Sequence, residues 1–306
     1  LGISLIKPAI LAGRIDESFG ESISYLGGGD LMALFEDGQR YYLEVRSGSW
    51  EGHRIGIDTA RSTSTLVVFD PTASGNTLDE LPAETRGAAF AIRPHHTLGE
   101  FLAKERLTAG RNPSTTDQVH FYRGDRIGYD SYFLLDAGDD LHYWTTLSNA
   151  SLADGTGTII VPGEGIFLER AASDPVTLTT TGVVRLGAFV QPLHTGYNFI
   201  AEPFPYTSSP SQRRLLIDNG IRGSIDPSDA DQIHVWRGDD NEEVESYSGY
   251  FLLDAGEGSG YRYWTELSNA ALLNHNDSRI LKPGRAAFFL RRGNAMEHYE
   301  FKRTGE

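Results

Sequence analysis

The sequence predicts a mainly β fold: a small N-terminal β domain (1–88) followed by two duplicated β-rich units (89–190 and 191–306), each with one short helix. Three observations lead there. The heptapeptide Tyr132–Gly138 recurs letter for letter at Tyr250–Gly256. Each copy is followed by Tyr-Trp-Thr-x-Leu-Ser-Asn-Ala, at Tyr143–Ala150 and Tyr263–Ala270. Each is preceded by Asp-Gln-[Val/Ile]-His-x-x-Arg-Gly-Asp, at Asp117–Asp125 and Asp231–Asp239. Three blocks in one order are an internal duplication. The offset between copies grows along the unit, so the second copy carries small insertions, where surface turns belong.

In chain order, Ile3, Leu5 and Lys7 alternate with Ser4, Ile6 and Pro8, the period of a strand that Pro8 ends. Tyr41–Arg46 and His53–Asp58 flank Ser47–Gly52 as a hairpin, and Thr65–Asp70 is a further β-branched strand. Residues 71–87 form a Pro- and Gly-bearing loop that ends the first domain. Ala89–Pro94 opens the first repeat as a short strand. Thr97-Leu98-Gly99-Glu100 has the spacing of a capping box, and Leu98, Phe101, Leu102 and Leu107 supply a helical apolar stripe. The second unit repeats the plan with Phe199–Pro203 and a helix from about Ser211 through Leu215, Leu216 and Ile217, stopped at Asn219-Gly220.

Next comes the strand Gln118–Arg123 or Gln232–Arg237, in which Val119 and Phe121, or Ile233 and Val235, share one face. The pleat phase is the same in both copies. Strands at 131–135, 142–146 and 165–170 complete the sheet, with Pro162-Gly163 and Pro283-Gly284 as turns. Val176–Thr180 and Val183–Val190 read as a hairpin joining the units, bent at Gly182.

Composition narrows the function. A net charge of −15, with Lys and Arg scattered, argues against a nucleic-acid partner. No run of eighteen apolar residues exists to serve as a transmembrane helix. Absence of Cys removes disulfides, thiolate metal sites and a thiol nucleophile. No G-x-S-x-G, phosphate loop or dinucleotide fingerprint is present. The chain opens at Leu1 without an initiator Met, for which a removed export signal would account.

Gly196–Pro205, GYNFIAEPFP, is followed by the Asp-x-Ile-x-Val-Trp-x-Gly strand from Asp231, a Tyr-rich strand, a Trp strand and a Pro-Gly strand. With the block Glu44–Ile57, EVRSGSWEGHRIGI, this order resembles an uncharacterised family of exported proteins typical of verrucomicrobia. The likeness covers most of the chain. It implies export and transfers no catalytic residue.

Candidate sites are few. Asp226, Asp229 and Asp231 cluster three carboxylates, hard oxygen ligands that suit calcium, although Asp, Ser and Pro also build ordinary turns. No other cofactor is expected. Arg-Gly-Asp at Arg123–Asp125 and Arg237–Asp239 follows a strand directly, where Gly turns and Asp caps. His120 and His234 occupy matching repeat positions, which a shared packing role explains. Tyr122, Tyr132, Tyr143 and Trp144, with Trp236, Tyr250, Tyr263 and Trp264, are either a sugar-stacking row or core filling; core filling is the commoner use of such rings.

We therefore expect a secreted or cell-surface structural protein, not an enzyme, that assembles as a homo-oligomer or filament. Duplication favours repeated contact surfaces over a single active site. Ile3, Leu5, Ile6, Ile10 and Leu11 are the expected assembly residues, an apolar strand donated to a neighbour's sheet edge, with Asp16–Gly29 as the flexible tether. The alternatives are a carbohydrate-binding or adhesin module with a polysaccharide partner, and a hydrolase with an acidic site in a cleft.

Overall fold

The computed structural model describes residues 1–26, 30–101, 106–123, 128–148, 151–174, 176–237, 246–268 and 271–301. The fold is mainly β. After a two-residue strand β1 (Leu5–Ile6), six strands close a barrel: β2 (Leu11–Ser18), β3 (Ser22–Leu26), β4 (Tyr41–Val45), β5 (Arg54–Ile57), β6 (Leu66–Asp70) and β7 (Ala89–Pro94). Their circular order is β2-β3-β6-β5-β4-β7. Ile15, Ile23, Leu43, Ile55, Val67, Phe69, Phe90 and Ile92 fill the interior. Closure leaves no unpaired strand edge on this domain.

The strand β7 corrects the expected boundary. Ala89–Pro94 does not open the first repeat; it pairs with both β2 and β4 and so completes the barrel, which runs from Leu11 to Pro94. Ile92 stands opposite Leu11 on one side and Leu43 on the other. Without it both neighbours would expose their hydrogen-bonding edges. Asp16–Leu26 is likewise barrel strand, through β2 and β3, and not a tether.

The first sheet comprises β9 (Gln118–Arg123), β10 (Gly128–Asp136), β11 (His142–Thr146) and β13 (Ile166–Glu169), in the order β11-β10-β9-β13. Two short strands, β8 (His96–Thr97) and β12 (Ile159–Ile160), pair beside it, next to the one-turn helix α1 (Leu98–Phe101). β14 (Val183–Val184) and β15 (Phe189–Leu193) lie in the connection to the second sheet. That sheet contains β16 (Gly196–Ala201), β17 (Gln232–Trp236), β18 (Tyr247–Asp254), β19 (Arg262–Glu266) and β20 (Ala286–Arg291), in the order β16-β20-β17-β18-β19. A last strand, β21 (Met296–Phe301), pairs with β15.

Equivalent residues of the two sheets hold equivalent register. Leu134 faces Trp144, and Leu252 faces Trp264. Tyr132 faces Val119, and Tyr250 faces Ile233. Both tryptophans are fully buried, each in its own unit's core. The sheets differ at one edge. β16, the counterpart of β7, pairs with β20, whereas β7 has gone to the barrel.

Two further expectations are corrected. The helix expected from Ser211 does not form; Arg214 takes a left-handed conformation with φ 58°, and only a single 3-10 turn follows at Ile217–Asn219. That backbone breaks a helix, and Leu215 alone of the supposed stripe reaches the deep core. The expected hairpin at 176–190 is also absent. β14 pairs with β1 and β15 with β21, so both strands serve the chain termini.

Candidate functional site

Two features stand out, and the turn Val161–Ile166 belongs to both. The first is the seat of the N-terminal arm, Leu1–Lys7. The arm leaves the barrel and lies against the rest of the chain. Gly2 forms a bridge with Gly165, and its N–H donates to the Gly284 carbonyl at 3.0 Å. The Ile166 N–H donates to the Leu1 carbonyl at 2.9 Å. Ser4 Oγ donates to the Glu202 carbonyl at 2.9 Å. Leu5 and Ile6 pair antiparallel with Val184 and Val183. Ile3 is buried in the first unit's core, beside residues such as Leu98, Phe121 and Ile166. Gly2 is needed by the close approach: a Cβ there would stand 2.5 Å from Ala201 Cβ and 2.7 Å from the Arg285 carbonyl.

The expected assembly residues therefore divide. Ile3 and Ile6 are buried in this seat and Leu5 is half-buried. Ile10 and Leu11 are not part of the arm; Leu11 is in the barrel core, Ile10 packs on it, and the Ile10 N–H donates to the Ile92 carbonyl at 2.9 Å. Between arm and barrel, Pro8 and Ala9 are exposed. Lys7 is the last anchored residue: its carbonyl accepts from Arg93 Nη1 at 2.7 Å, and its ammonium pairs with Glu100. Arg93 in turn donates from Nε to Glu44 at 3.0 Å, and Arg185 from the inter-sheet connection pairs with the same carboxylate. Burial alone would raise the Glu44 pKa, but Arg185 and Arg93 together hold it below the usual value.

The second feature is a cleft of about 1070 Å³ where barrel, first sheet and second unit meet. Its inner wall carries Glu164, Arg123, Asp130 and Tyr122, with Arg54 and Gln191 beside them. Arg123 Nε donates to Asp130 at 3.0 Å, and its Nη1 pairs with Glu164. Glu164 also accepts from the Val161 N–H at 3.2 Å. Burial pushes the Glu164 carboxyl up to about 7, against the opposing pull of Arg123. Arg54 is buried, and its Nη1 donates to the Val190 carbonyl at 2.8 Å. Its Nε has no hydrogen-bond partner, nor does Gln191 Oε1 in the same wall.

An aromatic band leads away from the cleft. Tyr122 meets Tyr129 edge-on at 5.2 Å and Phe288 at 5.8 Å. Phe167 of the first sheet stacks on Phe199 of the second, centroids 4.2 Å apart and planes 6° from parallel. Tyr197 and Tyr247 also contact Phe288, and Trp236 contacts Tyr247. Tyr129, Tyr197, Trp236 and Tyr247 are exposed at its margin.

The remaining sequence candidates take structural places. Asp231 is fully buried and paired with Arg291; its carboxylate also accepts from the N–H groups of Arg222, Arg292 and Gly293. Asp117 does the same in the first unit, accepting from the Thr108 and Ala171 N–H groups and pairing with Arg170 at 2.8 Å. Asp226 lies on the surface and accepts from the Ser228 N–H, while the Asp229 N–H donates to the Asp226 carbonyl. Asp226, Asp229 and Asp231 are thus not gathered around one point, and among the described residues no group of three acidic or histidine side chains is placed to hold a metal. Of the Arg-Gly-Asp triplets, Arg123 is in the cleft and Arg237 bonds Ser248; Gly124, Asp125, Gly238 and Asp239 lie outside the described residues. His120 bonds Ser131, and His234 bonds Gln232. Trp144, Trp264, Tyr132, Tyr250 and Tyr263 are buried and present no sugar-binding face.

Sequence reasoning passed over Glu164. One signal was available: the Pro-Gly turns of the two copies match, but Glu164 follows the first and Arg285 the second. No family model matches the chain, and no curated protein or solved structure matches it.

Proposed function

We propose that the protein is a non-enzymatic, exported subunit that assembles with copies of itself by exchanging its N-terminal arm. One observation supports this above the others: the arm is seated away from the barrel that carries it, in a groove made by both sheets and their connection. Its contacts are main-chain pairing at Gly2 and β1, plus burial of Ile3 and Ile6. The same arm of another copy would make the same contacts, which is the low-cost route of domain exchange. Exposed Pro8–Ala9 supplies the hinge. Head-to-tail exchange whose rotation does not close on itself builds a filament.

Asp130 and Glu164 on the inner wall of the cleft are both held on one guanidinium, that of Arg123. Glu164, pushed up to about 7 by burial and lining the same cleft as Asp130, is the observation that favours the second reading, a hydrolase with an acidic site. The test is refolding at high protein concentration, with the mass read by light scattering and particle shape by electron microscopy. Full-length chain is expected to give multimers. Chain lacking residues 1–7 is expected to stay monomeric and to bind a synthetic peptide of Leu1–Lys7. Full-length chain that remains monomeric, or truncated chain that assembles as before, would refute the proposal.

A further inference from the structure

We propose that the cleft between the barrel and the two sheets is a binding site for a neutral oligosaccharide. This stands apart from arm exchange, since none of residues 1–7 lines the cleft. Four observations carry it. The volume, about 1070 Å³, is at or above the range of roughly 300–1,000 Å³ that holds small-molecule ligands. The wall provides a ring, Tyr122, whose neighbour Tyr129 extends the aromatic surface outward to solvent. Sugar rings carry apolar C–H faces that pack on such rings, as apolar surface does generally.

Beside the ring stand acceptors and donors at fixed positions. Asp130 and Glu164 accept, and Arg123 holds both in place. Arg54 Nε is a donor without a partner, and Gln191 Oε1 an acceptor without one. Arg54 and Gln191 line the same cleft, and Arg54 Nη1 reaches the carbonyl of Val190, the residue before Gln191. A buried polar atom left unpaired is costly. A hydroxyl, which both donates and accepts, suits either atom. An ammonium cannot accept, and a carboxylate or sulfate cannot donate.

Charge selects within the glycans. Glu21, Asp79 and Glu80 are exposed at the margin of the cleft. These carboxylates, on a chain of net charge −15, repel acidic sugars. A cationic sugar is attracted by them but would meet the buried Arg54 guanidinium inside.

The experiment is isothermal calorimetry on the full chain with a panel of hexaoses: β-1,4-glucose, α-1,4-glucose, β-1,3-glucose, β-1,4-mannose and β-1,4-xylose. Oligogalacturonate and chitosan oligomers serve as charged controls. At least one neutral hexaose is expected to bind with Kd below about 1 mM. Tyr122→Ala should weaken that binding about tenfold or more. Gln191→Leu, which keeps size and removes the acceptor, should weaken it while leaving the circular dichroism spectrum unchanged. Three results would each overturn the proposal: no binding by any neutral member, tighter binding of a charged control, or unchanged affinity in both variants.

Discussion

Trp144 and Trp264 occupy matched positions, yet they should not respond equally to Trp→Phe. Each is fully buried in its unit and faces a leucine of the neighbouring strand, so the loss of ring volume is common to both. Their indole N–H groups differ. Trp264 Nε1 donates to the Leu215 carbonyl at 2.5 Å, whereas Trp144 Nε1 has no partner. Phenylalanine at 264 removes that bond and strips the buried Leu215 carbonyl of this donor, at a cost of about 1–3 kcal/mol beyond the cavity. At 144 the same change deletes an unpaired buried donor, which offsets part of the cavity cost. Trp264→Phe should therefore be more destabilising by at least about 1–3 kcal/mol. For units near a hundred residues, each kcal/mol moves the melting temperature by about 4 °C. Scanning calorimetry of both variants reads the difference directly. Equal shifts, or a larger one for Trp144→Phe, would show that the hydrogen bond to Leu215 contributes nothing.

Three further outcomes follow from buried groups. His95 is buried against Tyr42, and burial, with Arg54 and Arg40 nearby, depresses its pKa to about 3; its stabilising contribution is complete above about pH 6.5 and is lost as pH falls towards 3, at up to ~1.4 kcal/mol per pH unit. Urea titrations at pH 7 and pH 5 should show a loss for the parent that shrinks in His95→Phe, and an identical loss in both would remove His95 as its source. Gly2→Leu should expel the arm, since even a Cβ meets Ala201 and Arg285. Amide exchange should then quicken at residues 3–6 while β2 keeps its protection, and unchanged exchange in the arm would contradict the packing. Arg213 is fully buried on Glu202, with a contact of 2.6 Å, and lies over the Phe204 ring at 4.3 Å; Arg213→Met strands that carboxylate and should cost about 3–5 kcal/mol, and a denaturation midpoint equal to the parent's would count against the ion pair.

Local pattern carried much of the strand inventory. β4, β5, β6, β9 and β11 fall where β-branched and aromatic runs between turn residues placed them; β9 alternates, while β4 and β5 are buried throughout. What failed was partnership. Ala89–Pro94 and Phe199–Pro203 look alike as sequence, yet one closes a barrel and the other edges a sheet; that choice lies in which edges are left open elsewhere. The Leu215–Ile217 stripe suggested a helix, but Arg214 turns left-handed just before it, and Leu215, Leu216 and Ile217 pack against one core without α-helical turns. Asp231 was legible as a special residue and its use was not, since Arg291 lies sixty residues away in the chain. The cleft was invisible for the same reason: Arg54, Arg123, Glu164 and Gln191 come from four separate segments.

The seat of the arm also bears on the order of events during synthesis. Ser4 bonds Glu202, 198 residues later, and Gly284, 280 residues later. The arm is thus translated before the residues of its groove, Glu202 and Gly284 among them, have been made. Once its own groove is complete, the short hinge holds the arm there at an effective concentration on the order of millimolar. A neighbour at ordinary protein concentrations cannot displace it by mass action. Under the proposed arm exchange, polymer growth would be a contest of timing, decided in the interval before each chain closes on itself. Under that proposal, whatever held the arm back during that interval, a growing end or a crowded exit site, would determine whether the product is a fibre or a self-capped monomer.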